Sequence, residues 1–190
     1  MNKIILISIL IIFFSINLYG GKHHLLVKGG LGYSGAYAES NKNSSTYEFG
    51  EVALLFYRLD FDDNLGFNLG IGWNNKSFIA NLSTETHDVA LDNLENILSL
   101  NYNYSKNIKF LFGLFIDIPT GLDNLARDVT PINGGLLFGV EYNFKSFLFD
   151  LRIEQGLGEI YDPSNLHGGG AGGNYSYSTQ IIFMVGYQFF

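Results

Sequence analysis

The segment LGFNLGIGW, residues 65–73, decides the fold of this chain. Large apolar side chains occupy every second position, namely Leu65, Phe67, Leu69, Ile71 and Trp73, and the positions between them hold glycine or asparagine. A period of two places alternate side chains on opposite faces of a β-strand. The segment therefore predicts a strand with one broad apolar face and one small or polar face.

Seven other stretches carry the same alternation, and they cover about residues 24–37, 46–59, 98–104, 110–118, 136–144, 147–154 and 177–189. The second stretch is apolar on both faces, and we expect Val52, Leu54 and Phe56 to point outward and Glu51 inward. Before the fourth stretch, residues 88–98 could instead form a short amphipathic helix through Ala90, Leu94 and Leu98.

The connections between these stretches alternate in length. Short turns are predicted at residues 61–64, 105–107 and 145–146, and longer polar segments at 38–45, 74–87, 119–133 and 157–174. Residues 77–80 within the second long segment are strand-like and could extend a hairpin beyond the membrane. Short turns at one end and long loops at the other are typical of an up-and-down outer-membrane barrel with periplasmic turns. The predicted fold is an all-β, eight-stranded antiparallel transmembrane barrel.

The composition agrees with strands that cross a bilayer. Apolar residues make up 47% of the chain and charged residues 15%, whereas a soluble domain carries about 25% charged residues. No apolar run after residue 20 is long enough for a membrane-spanning helix. The chain contains no cysteine, which excludes disulfides and thiolate chemistry, and its formal charge of −7 argues against nucleic-acid binding.

Residues 1–20 have the pattern of a secretory signal peptide: Lys3, an apolar segment at residues 4–14, and small residues suited to cleavage after Gly20 or Gly21. Residues 21–190 would then form the barrel domain. The alternative is an uncleaved N-terminal anchor, which the short apolar segment disfavours.

Most strand charges fall at positions that we expect to face the lumen. This predicted lumen cluster consists of Lys28, Glu51, Lys109, Asp117, Glu141, Asp150, Arg152 and Glu154. Because charges in a narrow lumen require partners, we expect Arg152 and Lys109 each to meet a carboxylate among Glu141, Asp150, Asp117 and Glu154. The cluster would form an ion-pair plug that fixes strand register, and a gate or proton path is the alternative.

Aromatic residues concentrate near the predicted strand ends, and we expect them to form two interfacial girdles. They are Tyr33, Tyr37, Trp73, Tyr102, Tyr104, Phe147, Tyr177 and Tyr187. A soluble β-sandwich core or an aromatic ligand platform are the alternatives, and the scarcity of outward charges disfavours the sandwich.

The C-terminal segment MVGYQFF, residues 184–190, resembles the signal by which outer-membrane barrels are recognised for assembly. Gly186, Tyr187, Phe189 and Phe190 carry this resemblance, and the residue after Tyr-x-Phe leaves open which phenylalanine is the final anchor. The whole chain from about residue 23 resembles the small eight-stranded barrels of the OmpA, OmpX and opacity-protein type. That resemblance implies a bacterial outer-membrane location, outer-membrane lipid and the barrel-assembly machinery as partners, and a role in envelope integrity or adhesion.

Catalytic and metal sites find little support in the sequence. The histidines are His23, His24, His87 and His167, and all lie at the N-terminal edge or in predicted loops. A lipid-modifying barrel would present a His–Ser pair on a strand face, and adjacent histidines in a strand point to opposite faces. We therefore expect no enzyme, cofactor or metal, and surface interaction with a host or surface ligand through the external loops. A narrow pore for small solutes and a lipid-modifying enzyme are the alternatives.

Overall fold

A computed structural model describes residues 21–38, 44–81, 86–121, 132–157 and 175–189. Through these residues run eight antiparallel strands: β1 Lys22–Ala38, β2 Ser44–Asp60, β3 Leu65–Asn81, β4 Thr86–Asn103, β5 Ile108–Gly121, β6 Asn133–Phe144, β7 Phe147–Gly156 and β8 Tyr175–Gln188. Each strand pairs with its neighbours in sequence, and β8 pairs with β1 to close the barrel. The predicted fold class is thus confirmed, and the segment at 88–98 is strand rather than helix. The predicted signal peptide lies outside the described residues.

The closed ladder has a large stagger. Hydrogen-bonded partners followed once around the barrel lead from Leu25 back to Gly35, ten residues farther along β1. Such a shear tilts the strands by about 40° against the barrel axis. Closure leaves no open sheet edge, which is the condition for a β-structure to survive in hydrocarbon.

The short turns lie where the sequence predicts them, and local hydrogen bonds explain their shape. Asp62 Oδ1 accepts hydrogen bonds from the backbone N–H groups of Asn64 and Leu65, each at 2.7 Å. Ser105 Oγ accepts one from the N–H of Ile108 at 3.1 Å. In the two-residue turn at 145–146, Lys145 has a φ of 57°. All three turns lie at one end of the barrel, which we call the turn end; the opposite end, with the long connections, is the loop end.

The strands differ in length, so the wall of the barrel is taller on one side. β3 and β4 contain 17 and 18 residues, whereas β7 contains 10. The pairing of β3 with β4 continues to Asn81 and Thr86, so the strand-like segment at 77–80 does extend this hairpin. The hairpin projects past the shorter strands at the loop end.

Two surfaces follow from the alternation. The outward face exposes large apolar side chains on every strand, including Leu31, Ile71, Leu98, Phe112 and Phe183. Among the predicted girdle residues, Tyr33, Trp73, Tyr102, Tyr104, Phe147 and Tyr187 are exposed; the side chains of Tyr37 and Tyr177 lie outside the described residues. None of the described segments forms a helix long and apolar enough to cross a bilayer.

Candidate functional site: the barrel interior

Buried charged side chains form two clusters inside the barrel. The turn-end cluster consists of Lys28, Arg58, Glu141, Asp150 and Arg152. The loop-end cluster consists of Lys76, Glu95, Asp117 and Glu154 together with Asn74 and Gln180. All of these residues are buried. The predicted cluster is therefore divided in two, and it includes residues that the sequence did not indicate.

The turn-end cluster is built around Glu141. Its Oε2 atom accepts hydrogen bonds from Lys28 Nζ at 2.6 Å and from Arg58 Nη2 at 2.7 Å. Lys28 also donates to Asp150 Oδ2 at 2.5 Å. Since β1, β2 and β6 do not all neighbour one another in the sheet, these bonds cross the lumen. The cluster ties opposite walls of the barrel together.

Arg152 connects the two clusters. Its Nη2 atom donates to Asp150 Oδ2 at 2.7 Å, and its Nη1 atom lies 3.8 Å from Glu154 Oε1. Its guanidinium carbon is 5.3 Å from the centre of the Phe56 ring, and Lys28 Nζ is 4.8 Å from the same ring. The aromatic face thus supports two cations that are withdrawn from water. The expected pairing of Arg152 with a nearby carboxylate is present.

The loop-end cluster joins β3 to β5, β7 and β8. Lys76 Nζ donates to Asp117 Oδ2 at 2.7 Å and to Glu154 Oε2 at 3.2 Å, and it lies 4.1 Å from the centre of the Phe115 ring. Asn74 Nδ2 donates to Glu95 Oε2 at 2.6 Å and to Gln180 Oε1 at 3.0 Å. These bonds cross the lumen at a second level, nearer the long connections.

An apolar layer lies between the clusters, and Arg152 passes through it toward Glu154. Its side chains are Leu54, Ile97, Leu137, Ile182 and Met184, and they belong to one buried hydrophobic cluster with Phe56 and Phe115. Ile97 lies between Glu95 and Ser99 on β4, and Ile182 follows Gln180 on β8. Water and ions find no hydrogen-bond partners among these apolar side chains, so the layer disfavours water and ions between the two clusters.

Glu51 and its neighbours on β2 overturn one expectation from the sequence. Glu51 is exposed on the outward face, whereas Val52, Leu54 and Phe56 are buried in the lumen. The phase predicted for this strand was wrong because the interior itself contains an apolar layer. Arg58 could have revealed the correct phase. It lies two residues after Phe56, so the two side chains are on the same face of β2, and Arg58 donates a hydrogen bond to the buried Glu141 inside the barrel.

Lys109 also departs from the expectation. Its ammonium lies 3.5 Å from Asp60 Oδ2 at the turn end, and no ion pair joins it to Glu141, Asp150, Asp117 or Glu154. Asp60 accepts a hydrogen bond from Asn101 at 3.0 Å and lies 3.3 Å from His24 Nε2. The positions of the two residues along their strands explain why Lys109 pairs with Asp60. Asp60 is the last residue of β2 and Lys109 is the second residue of β5, so both side chains lie at the turn end.

Among the described residues, four charged side chains of the interior were missed by the sequence analysis: Arg58, Asp60, Lys76 and Glu95. Lys76 fell in a segment that we expected to be a loop, and Glu95 fell in the ambiguous start of the fourth strand. Three histidines lie in described strands, and His87 lies in β4, paired with Ala80 of β3, rather than in the loop expected for it, because the β3–β4 ladder continues to Thr86. His23 and His24 point to opposite faces of β1, since His23 contacts Tyr57 while His24 contacts Gln188 and Asp60. Among the described residues, no group of three or more His, Asp or Glu side chains is arranged to bind a metal ion.

No protein-family model matches the sequence, and no curated protein sequence matches it significantly. Solved structures do match the fold. The outer-membrane protein OprG of Pseudomonas aeruginosa is 12% identical, with 89% of this chain and 97% of that chain covered and a TM-score of 0.51. Neisserial surface protein A is also 12% identical, with 90% and 99% covered and a TM-score of 0.51.

The outer-membrane protein AlkL, determined in lipid bilayers, is 11% identical, with 88% of this chain and 90% of that chain covered and a TM-score of 0.50. Likeness at this level of identity concerns the fold. A closed barrel with an apolar outward face satisfies every backbone group within hydrocarbon, which soluble sandwiches do not need to do. The chain thus has the fold of the small eight-stranded barrels of the bacterial outer membrane.

Proposed function

We propose that this protein is a non-conducting envelope barrel whose loop end makes contacts at the cell surface. The observation that carries the proposal is the filled interior, in which two ionic clusters and an apolar layer follow one another along the axis. Such an interior stabilises a cylinder and offers no continuous aqueous path. Interaction then belongs to the ends of the barrel, where the polar irregular sequence lies.

The near balance of charge inside the barrel supports a plug. Among the described residues, four buried cations (Lys28, Arg58, Lys76 and Arg152) face five buried carboxylates (Glu95, Asp117, Glu141, Asp150 and Glu154). A pore that selects one sign of ion presents an excess of the opposite charge along its wall. Here each of the four cations lies within 2.7 Å of a carboxylate oxygen, and removing one partner of a buried pair costs about 3–5 kcal/mol.

Planar-bilayer recording of the refolded protein tests the closed interior. We expect the wild-type barrel to show no reproducible open channel, because solutes would have to part Lys28 from Glu141 and displace the apolar layer. The narrow pore is the competing function. A steady conductance that changes in Arg152→Ala and in Glu141→Ala would establish it and would overturn the plug.

The surface role is tested by removing the long connections one at a time. In one version residues 122–132 are replaced by a short turn, in a second residues 158–174 are replaced, and in a third the β3–β4 hairpin is shortened. A fourth version has all four long connections shortened. Each is compared with the wild type for bacterial attachment to epithelial cells and to matrix-coated plates. We expect the barrel to keep its heat-modifiable mobility on gels while attachment falls. If attachment is unchanged when all four long connections are shortened, the loop end has no such role.

A catalytic role is not part of the proposal. His23 and His24 contact Tyr57, Gln188 and Asp60 at the turn end, and His87 lies on β4 near the opposite end. Incubation of the refolded barrel with lipid A and with phospholipid, followed by mass spectrometry of the lipids, should show no product. Turnover that depends on folded protein would identify a lipid-modifying enzyme instead.

A further inference from the structure

A polar cavity lies at the turn end, and the residues that line it belong neither to the two ionic clusters nor to the loop end. It has a volume of about 550 Å³ and lies between the turns at 61–64 and 104–107 and the start of β1. Its lining includes Lys22, Asp63, Asn103, Tyr104, Lys106 and Lys109. The backbone N–H of Asn103 donates to the carbonyl of Asn64 at 2.7 Å, and this bond holds the two turns side by side.

The charge of this cavity is positive. Three lysines line it against Asp63, which lies 3.7 Å from Lys22 and is almost fully exposed. The lining residues themselves thus carry three ammonium groups and one carboxylate, while Asp60, which pairs with Lys109, and Asp62, which bonds to the backbone of its own turn, lie outside the lining. Lys109 is only 12% exposed, so its ammonium is poorly screened by water. An anion bound among the three lysines would be attracted by their ammonium groups.

One wall of the cavity is continuous with the lipid-facing surface. Tyr104 lines the cavity, is 67% exposed, and packs edge-on against Phe110 at 5.8 Å between ring centres. Phe110 belongs to the outward apolar face of β5. A molecule in the cavity could therefore place its polar group among the lysines and its apolar part along Phe110.

The amide of Asn103 fixes the turn that forms this wall. Asn103 Nδ2 donates to the carbonyl of Asp63 at 2.9 Å. The lining thus offers ammonium groups to a phosphate that carries one negative charge.

We propose that this cavity binds a phosphate monoanion, supplied by the headgroup of an anionic phospholipid in the periplasmic leaflet. Short turns of outer-membrane barrels lie on the periplasmic side, so the cavity meets that leaflet at headgroup depth. Lys22, Lys106 and Lys109 contact the phosphate, and the Tyr104–Phe110 pair meets the start of the acyl chains. The site anchors the turn end of the barrel in its leaflet.

Native mass spectrometry of the refolded protein in a neutral detergent tests the site. The probes are phosphatidylglycerol and phosphatidylcholine with the same acyl chains, and soluble glycerol 3-phosphate is titrated in a separate arm. We compare the wild type with Lys22→Gln/Lys106→Gln, with the same variant carrying Lys109→Gln, and with Lys145→Gln. The last variant removes one positive charge from another turn at the same end, outside the cavity lining, and shows what the loss of a single turn-end charge does by itself.

We expect the wild type and Lys145→Gln to retain phosphatidylglycerol over phosphatidylcholine, with retention falling about fivefold for each cavity lysine removed. The double variant keeps the Lys109–Asp60 pair, so it reports on the site even if the triple variant folds poorly. Weakened binding of glycerol 3-phosphate in the same variants would support the phosphate site and point to a soluble source. Equal retention of the two lipids, or an equal loss in Lys145→Gln, would overturn the site.

Discussion

Lys28 Nζ on β1 lies 2.6 Å from Glu141 Oε2 on β6, and the two residues are 113 positions apart in the chain. The strands that carry them are not neighbours in the barrel, so this ion pair spans the lumen. Arg58 on β2 meets the same carboxylate oxygen at 2.7 Å. One glutamate thus joins three strands across the lumen.

Glu141→Gln should destabilise the barrel strongly. The amide removes the charge that compensates Lys28 and Arg58, and breaking a buried pair costs about 3–5 kcal/mol in the free energy of unfolding. Urea unfolding in lipid vesicles measures the change. Glu51→Gln is the matched control: because Glu51 is exposed, we expect a change within about 0.5 kcal/mol. Equal effects of the two substitutions would show that Glu141 does not carry the cluster.

The phase of β2 can be tested by cysteine labelling, because the chain has no native cysteine. In the folded barrel, we expect Glu51→Cys to react with N-ethylmaleimide, since that side chain lies outside. Val52→Cys should react only after unfolding, since Val52 is 3% exposed. Mass spectrometry of the labelled proteins measures the difference, and the reverse pattern would restore the phase that the sequence suggested.

Gly72→Ala should disturb the β2–β3 seam. A Cβ at this position would lie 2.1 Å from the carbonyl oxygen of Ala53 and 2.8 Å from the Cα of Leu54, and both are backbone atoms that cannot move alone. Overpacking of this kind costs about 1–3 kcal/mol. Gly29→Ala provides the comparison, because its nearest neighbour would be the carbonyl oxygen of Val52 at an ordinary 3.7 Å. Thermal unfolding should separate the two variants, and a harmless Gly72→Ala would contradict the close approach.

Tyr187 and Phe189 are proposed to contribute to recognition by the barrel-assembly machinery. Both are exposed on the outward face at the end of the chain, with ring centres 5.1 Å apart. We expect Tyr187→Ala and Phe189→Ala to lower the amount in the outer-membrane fraction of cells, while refolding of the purified protein in detergent is less affected. Phe183→Ala, an outward aromatic farther up the same strand, serves as the control.

Removal of Phe190 alone shows whether it or Phe189 is the final anchor. If all of these variants reach the membrane equally, the C-terminal resemblance has no role in assembly.

The sequence was most informative where its pattern was purely local. Alternation at residues 65–73 and in the last strand, and short turns between adjacent strands, depend on neighbouring residues and on backbone geometry. The strand-like segment at 77–80 was readable for the same reason. The observed strand ends differ from the predicted ends by a few residues. Backbone pairing with a neighbouring strand continues past the residues whose side chains alternate.

The interior was less readable. Lys28, Asp117, Glu141, Asp150, Arg152 and Glu154 could be assigned inward by parity, but the partners of Lys109 and the inward position of Arg58 could not. A strand that is apolar on both faces, such as β2, has no local feature that fixes its phase. Its phase depends on what the opposite wall presents, here Glu141 for Arg58 and Lys109 for Asp60.

By itself, the sequence determined that this protein is an antiparallel cylinder with an apolar exterior, because a period of two and the spacing of turns are properties of the chain alone. The tertiary structure decided which charges meet inside and how the cylinder is filled. The ion pairs join residues as many as 122 positions apart in the chain. The stagger of the closed ladder sets the relative heights of those residues along the barrel axis. That stagger arises only when β8 pairs with β1, since no local segment contains both strands.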